Sequence, residues 1–600
     1  LFTSGFLLTR SVLDDKSTCD APPIEGSAGL VAAPGNVAEG CWHPKTFDRA
    51  VVVLIDALRY DFTVPQDEES AEVFHNAFPF MHDLAAEKPQ NAFLRPFIAD
   101  PPTATMQRLK GLTTGTLPTF LDAGSNFAGT AIDEDNLLMQ LREANKTIAH
   151  IGDDTWWSLF PGHFAEGISR AYDSFNVWDL HTVDNGVIEH IFPLMEADRS
   201  SKEGEWDLLI GHLLGVDHAG HRHGPDHAAM TAKLQQMDGF VRKLVESLDD
   251  DTLLIVMGDH GMDSKGDHGG ESDDEVEAAL WMYSKRPVFG RTKPEFVTPP
   301  ATAKIRPVNQ IDLVPTLALL LGIPIPYSNL GRPIEEAFAG VDGNDWKNLA
   351  TVSRMAAAGV ERYQNSYFNS RGITPASDSG SPADLWVKAL ALDPKRASAE
   401  DVYAAFVAFQ EQTLSVCKDL WARFDVTRMV SGVALALVAV VILVCYSSRD
   451  EDDDFVVTTD IELDYAEKRL ELMGFKDGAQ EEKLEQDILH RTLLGGLWDL
   501  RVFAVLGVAL AVAFYKRDPT DGVLATGATA LVITLSASVL GVLVALHRAG
   551  KTVLNALPRN VWGWMAAVFT ISQSIGFASN SYTVWEDSIL QFFITTFGFV

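Results

Sequence analysis

The sequence predicts an α/β domain followed by a membrane region, on three observations. Apolar, strand-length runs alternate with helix-length segments between residues 47 and 345. Three of those runs stop abruptly at Asp or His. Beyond residue 428 the composition changes to long stretches with few or no charges.

The chain starts at Leu1 rather than Met, which predicts a fragment. Residues 1–10, an apolar stub closed by Arg10, read as the end of an N-terminal membrane helix. Residues 11–46, rich in Pro, Gly and Ala, read as a linker. The run 51–55 followed by Asp56 reads as a strand buried on both faces. A carboxylate at the C-terminal end of such a strand lies where open α/β sheets keep their chemistry. The pattern returns. Residues 147–151 form a strand, 206–212 run into Asp217, His218 and His221, and 252–258 run into Asp259 and His260, followed by Asp267, His268, Gly269 and Gly270. A further strand is predicted at 278–283, and a helix at 311–321 with Asp312 in its first turn and Gly322 and Pro324 closing it. Residues 346–428 read as an amphipathic helical extension of the 47–345 domain, broken at 377–383.

Membrane spans are predicted at 429–446, 494–515, 522–546 and 561–584, with a fifth opening at 588–600. The loop 447–492, with its acidic run at 450–454, reads as a solvated cytosolic segment. Parity then places 11–428 in the lumen. Arg548, Lys551 and Arg559 agree with a positive-inside bias, whereas Lys516 and Arg517 oppose it.

Acidic residues number 82 against 48 basic ones, a net charge of −34, which argues against a nucleic-acid partner. The cysteines are Cys19, Cys41, Cys417 and Cys445; with no CxxC pair, a thiolate zinc site or redox motif is not expected. Cys19 and Cys41 either form a disulfide in an oxidising lumen or remain two thiols. Asn145-Lys146-Thr147 is a glycosylation sequon.

Asp and His together, without Cys, suit zinc or manganese. Asp217 and His221 are four apart and can face one ion from one turn. Asp259 and His260 sit together at a strand end, Asp56 adds a third carboxylate, and the glycines after His268 permit close backbone approach. These are too many ligands for one tetrahedral ion and about right for two, the arrangement that clamps both oxygens of a phosphoryl displacement. A nucleophile is then needed. Thr105, ahead of Thr113-Thr114-Gly115, is placed to open a helix whose N–H groups favour a phosphate, while Thr103 is expected to cap that helix.

In this order, Asp56, Thr105, Asp217-x-x-x-His221, Asp259-His260-Gly261 and His268-Gly269-Gly270 resemble the alkaline phosphatase superfamily, its phosphodiesterase-like branch above all, over about 45–345. The resemblance implies an alkaline-phosphatase-like mixed sheet with helices on both faces. It also implies one zinc on Asp56, Thr105, Asp259 and His260, a second on Asp217, His221 and His268, with manganese as the other metal the ligands suit, and Thr105 as nucleophile. Residues 2–10, 55–62, 121–127 and 577–582, with Glu586-Asp587, look like the GPI-anchor ethanolamine phosphate transferases, most of all the type 3 members acting on the third mannose. That likeness implies an endoplasmic reticulum membrane enzyme with a lumenal catalytic domain and more C-terminal spans than this chain carries. It would move phosphoethanolamine from phosphatidylethanolamine to the GPI-precursor glycolipid through a phosphoethanolamine-threonine, with a small stabilising membrane subunit. A membrane phosphodiesterase resembling nucleotide pyrophosphatases, with water as acceptor, and a non-catalytic membrane scaffold are the alternatives.

One departure is Arg108, which stands where soluble relatives carry Asn; it either contacts a phosphate oxygen or pairs with an acidic neighbour. His218, His223 and His227 are expected at the surface or behind the ligands; Asp267 and Glu275 are candidates for partners of ligands, an ordinary structural role being the alternative. Arg59 and Asp61 are expected to fix the turn after the first strand, and Trp156 and Trp157 to pack the core rather than line a pocket.

Overall fold

The computed structural model describes residues 12–24, 39–67, 69, 71–117, 131–197, 205–371, 378–392, 397–421, 427 and 429–433. The stub 1–10, the loop 447–492 and the predicted spans from 434 onward lie outside them. Among the described residues no helix is long and apolar enough to cross a membrane.

The strands are β1 (Arg49–Ile55), β2 (Ala92–Ile98), β3 (Ile148–Asp153), β4 (Arg170–Tyr172), β5 (Leu208–Leu213), β6 (Thr252–Met257), β7 (Glu277–Tyr283) and β8 (Val308–Asn309). The helices in chain order are α1 (Phe80–Glu87), α2 (Thr105–Thr114), α3 (Leu137–Glu143), α4 (Thr155–Leu159), α5 (Thr182–Glu196), α6 (Gly215–His223), α7 (Ala228–Ser247), α8 (Asp273–Val276), α9 (Leu313–Leu321), α10 (Trp346–Arg371), α11 (Pro382–Leu390) and α12 (Ala399–Trp421).

The strands join in one mixed sheet ordered β4-β3-β5-β1-β6-β7-β2-β8. The centre, β5-β1-β6, is parallel, with Val53 opposite Gly211 on one side and Val256 on the other. Only β7 runs against its neighbours. Alternate residues of β1 enter opposite cores. Val52 and Leu54 face one built with Leu109, Leu112 and Val314; Val51, Val53 and Ile55 face another built with Val187, Leu234 and Val241. Helices α2 and α9 thus cover one face, and α5 and α7 the other. A strand buried on both faces needs an unbroken apolar run, which is why β1, β5 and β6 are legible as such. The result is the expected α/β architecture, a mixed sheet with helices on both faces.

Some expectations change. The described parts of 11–46 are not a free linker. Cys41 and Trp42 are buried, the Cys41 N–H bonds the Gly322 carbonyl at 2.8 Å, and the Ser17 N–H bonds buried Asp135. Cys19 and Cys41 are joined in a disulfide with Cα atoms 5.2 Å apart. The break near 380 ends at α11, whose first turn is capped by Ser381, and a second interruption separates α11 from α12. Helices α10 and α12 share a core with Ile311, Tyr327 and Leu330.

Candidate active site

Because β1, β5 and β6 are parallel neighbours, their C-terminal ends fall on one edge of the sheet. Asp56 follows β1, Asp259 and His260 follow β6, and Asp217 lies in the first turn of α6, directly after β5. The chain turns sharply after Asp56: Ala57 has φ 56°, and its N–H bonds Asp259 Oδ1 at 3.2 Å. The segment bearing His268 approaches α6 through Gly266, at φ +87°, where a Cβ would lie 1.9 Å from the Gly220 carbonyl oxygen. Only glycine fits there.

Two groups of ligand-type atoms result. Asp56, Asp259 and His260 form one, and Asp217, His221 and His268 the other. In the first, His260 Nε2 stands 3.3 Å from Asp56 Oδ1 and 3.4 Å from Asp259 Oδ2. In the second, Asp217 Oδ1 stands 3.4 Å from His221 Nε2 and 3.3 Å from His268 Nε2. The rings of His260 and His268 stack at 4.0 Å, which joins the groups into one site. Thr105 begins α2, and its Oγ1 lies 3.3 Å from Asp56 Oδ2 and 3.4 Å from His260 Nε2. Six predicted ligands and the predicted nucleophile are therefore brought together.

The other ring nitrogens are fixed from behind. His260 Nδ1 lies 2.9 Å from the Gly261 carbonyl and His268 Nδ1 2.8 Å from that of Thr103. A carbonyl only accepts, so Nδ1 carries the proton in both rings and Nε2 presents a lone pair to the site. Asp267 Oδ1 stands 3.7 Å from His221 Nδ1. Asp56 Oδ1, Asp217 Oδ1 and Asp259 Oδ2 are buried with no hydrogen-bond partner among the described residues. A bare buried carboxylate oxygen is costly, and cations would relieve it. The donor set thus fits a metal cofactor.

Burial, with the like charges of Asp259 and Asp217, raises the Asp56 carboxyl well above its ordinary range, against His268. Asp217 is affected by burial in the same direction, yet His221, His268 and His218 outweigh it and hold it far below. Burial pushes His260 down to about 4, against Asp259. Burial works to lower His268, but the nearby Asp217 carboxylate outweighs it and raises the imidazole overall.

Other candidates sort differently. Thr103 does not cap α2, whose N-cap position is Ala104. Its hydroxyl donates to the Gly270 carbonyl at 2.9 Å and accepts from the Gly269 N–H at 2.9 Å, clasping the glycines after His268. Glu275 accepts from the Gly270 N–H at 2.8 Å and holds the same segment. Arg59 pairs with Asp61 and donates to the Met262 carbonyl at 3.1 Å. His218 is buried with Nδ1 at 2.9 Å from the Asp179 carbonyl, whereas His223 and His227 stack at the surface. Trp156 packs into the core as expected, but Trp157 is 37% exposed. Arg108 is buried and reaches Gln310 Oε1 at 3.5 Å, with Nε and Nη2 lacking partners among the described residues. Burial brings its guanidinium down to about 10, opposed by Asp100 and Asp259.

A third group was missed. Asp56, Asp153 and His212 are all buried and in mutual reach. Asp153 ends β3, and His212 sits inside an otherwise apolar β5. A histidine at a position enclosed on both faces was the available signal, since a buried imidazole needs partners.

Residues 164–295 match the family model described as type I phosphodiesterase / nucleotide pyrophosphatase. The chain is 45% identical over 437 residues to GPI ethanolamine phosphate transferase 3 of Schizosaccharomyces pombe, covering 73% of this chain and 44% of that one. It is 38% identical over 602 residues to the protein of the same name from Eremothecium gossypii, covering 100% of this chain and 52% of that one. To GPI ethanolamine phosphate transferase 3, catalytic subunit, of Homo sapiens it is 45% identical over 455 residues, covering 72% and 40%. The chain thus spans about half the length of the curated relatives it matches. Over the half of their length that it spans, the chain is similar to the GPI ethanolamine phosphate transferase 3 proteins, and the segment that matches the phosphodiesterase model carries Asp217, His221, Asp259, His260 and His268 of the two candidate ligand groups.

Proposed function

We propose that this protein transfers phosphoethanolamine from phosphatidylethanolamine to a mannose, the third, of the GPI-anchor precursor, in two displacements through Thr105. The observation that carries this reading is the Thr105 hydroxyl, within 3.4 Å of both Asp56 and His260 at the start of a ten-residue helix. The names of its relatives support ethanolamine phosphate as the group transferred and a GPI molecule as its acceptor.

Asp56, Thr105, Asp259 and His260 would hold one zinc ion, and Asp217, His221 and His268 the other. When bound, such ions supply Lewis acidity, lowering the hydroxyl's pKa and neutralising phosphoryl charge. In the first displacement the Thr105 oxygen forms a bond to phosphorus and the diacylglycerol oxygen leaves. The proton lost by Thr105 is balanced by the one diacylglycerol gains. In the second, a mannose oxygen bonds to phosphorus as the bond from phosphorus to the Thr105 oxygen breaks, and the proton lost by the mannose hydroxyl is balanced by the one Thr105 regains. The N-terminal end of α2 favours negative phosphoryl charge, and Arg108, three residues after Thr105, adds positive potential there.

The reading places the domain in the endoplasmic reticulum lumen. The Cys19–Cys41 disulfide suits an oxidising compartment, and Asn145 is exposed for glycosylation. The human relative's name, a catalytic subunit, supports a further membrane subunit here.

The test is reconstitution of the full-length protein with headgroup-labelled phosphatidylethanolamine and a GPI precursor. Label on the third mannose is expected. Free phosphoethanolamine as the main product would make the protein a hydrolase instead.

A further inference from the structure

The third group of buried side chains is a hydrogen-bonded support rather than another cation site. Trp156 Nε1 lies 2.9 Å from His212 Nδ1. An indole N–H only donates, so His212 Nδ1 must present its lone pair. A neutral imidazole then carries its proton on Nε2, which lies 3.2 Å from Asp56 Oδ2. Asp153 Oδ2 also stands near Nδ1, at 3.5 Å, but it is the more distant partner, and Asp153 Oδ1 is engaged by the Thr155 N–H at 2.7 Å. A proton on Nδ1 would face the indole N–H donor to donor.

The two oxygens of Asp56 are thereby distinguished. Oδ2 accepts from His212 and from the Thr105 hydroxyl at 3.3 Å. Oδ1 is left without a hydrogen bond beside His260 and Asp259. We propose that His212, its tautomer fixed by Trp156, is a positioning residue that turns Asp56 so that Oδ1 faces the cation and Oδ2 meets Thr105. This deepens the reading given under Proposed function and rests on its metal assignment. Groups that orient a metal ligand from behind typically matter by about 10- to 100-fold in metal affinity or activity.

The test compares the full-length protein with His212→Ala, His212→Gln and Trp156→Phe. Metal content is measured by elemental analysis after dialysis, and kcat and KM for phosphatidylethanolamine by steady-state turnover. In wild type two ions per chain are expected. His212→Ala should retain about one, with kcat down about 10- to 100-fold and KM little changed. His212→Gln, whose amide N–H takes the place of Nε2–H, should recover both ions and most of kcat. Trp156→Phe keeps an aromatic side chain but removes the indole N–H that fixes the tautomer, and should show a weaker loss of the same kind. Three ions in wild type, with one lost in Asp153→Asn, would make His212 a ligand and overturn the proposal. So would His212→Ala keeping both ions and full turnover, or His212→Gln failing as badly as His212→Ala. Wild type holding two ions but transferring nothing would count against the proposed reaction alone, because the ion ratios between variants judge His212 independently.

Discussion

His221 Nε2 and His268 Nε2 stand 3.0 Å apart, brought together from α6 and a loop 47 residues later. Both are within 3.4 Å of the same oxygen, Asp217 Oδ1. His268 Nδ1 is turned to the Thr103 carbonyl, so its Nε2 offers a lone pair toward that common point. Three donor atoms so close, from residues so distant in sequence, are the arrangement a cation organises.

Removing the cations should therefore destabilise the domain as well as silence it. A ligand present at about 1,000 times its dissociation constant adds about 4 kcal/mol of stability. Calorimetry before and after chelation should show a lower Tm, restored by zinc. An unchanged Tm would mean the carboxylates are satisfied without metal.

Gly266→Ala should damage the Asp217 side of the site selectively. The substitution asks for φ +87° from an L side chain and drives its Cβ onto the Gly220 carbonyl. A cost of about 1–3 kcal/mol follows for the strained backbone. Denaturant unfolding should show that loss, with metal content falling toward one ion per chain. Wild-type stability with both ions retained would show that the approach is not needed.

A second ionic cluster governs acid stability. Buried Glu336 bonds Arg95 and lies 2.9 Å from Arg306 Nη1. Burial works to raise its pKa, but Arg95, Arg306 and Arg291 outweigh this and bring it down to about 2. The folded value is depressed, so the stabilisation is complete above the unfolded value of about 4.3 and is lost as pH falls toward 2. Its size is about 3 kcal/mol. Tm measured between pH 5 and 2 should fall in wild type with a steeper slope than in Glu336→Gln, which should already be less stable at pH 7. Parallel slopes would remove Glu336 from the account.

Cys417 is buried on α12, and burial pushes its thiol up to about 12. Little thiolate forms at pH 8. Iodoacetamide should label it only after denaturation, as read by peptide mass spectrometry. Rapid labelling of the native protein would contradict the packing of α12.

The strands that carry ligands were legible because burial on both faces leaves no room for anything but apolar runs, and Asp or His at the end of such a run stands out. β2 was not. Arg95 and Pro96 interrupt it, and both are tolerated for reasons remote in sequence: Glu336 neutralises Arg95, and β8 pairs with β2 only at Phe97 and Ile98, leaving the other side of Pro96 free of a ladder. Thr103 was misread because a Thr before a helix usually caps it, whereas here the glycines after His268 come within reach of its hydroxyl. His212 escaped notice since its partners, Trp156 and Asp56, are 56 and 156 residues away.

The central claim is that Thr105 carries the transferred group. Full-length protein mixed with phosphatidylethanolamine, without acceptor, and quenched in acid should yield one peptide bearing phosphoethanolamine on Thr105, and none in Thr105→Ala. A modification on another residue, or undiminished transfer by Thr105→Ala, would contradict it.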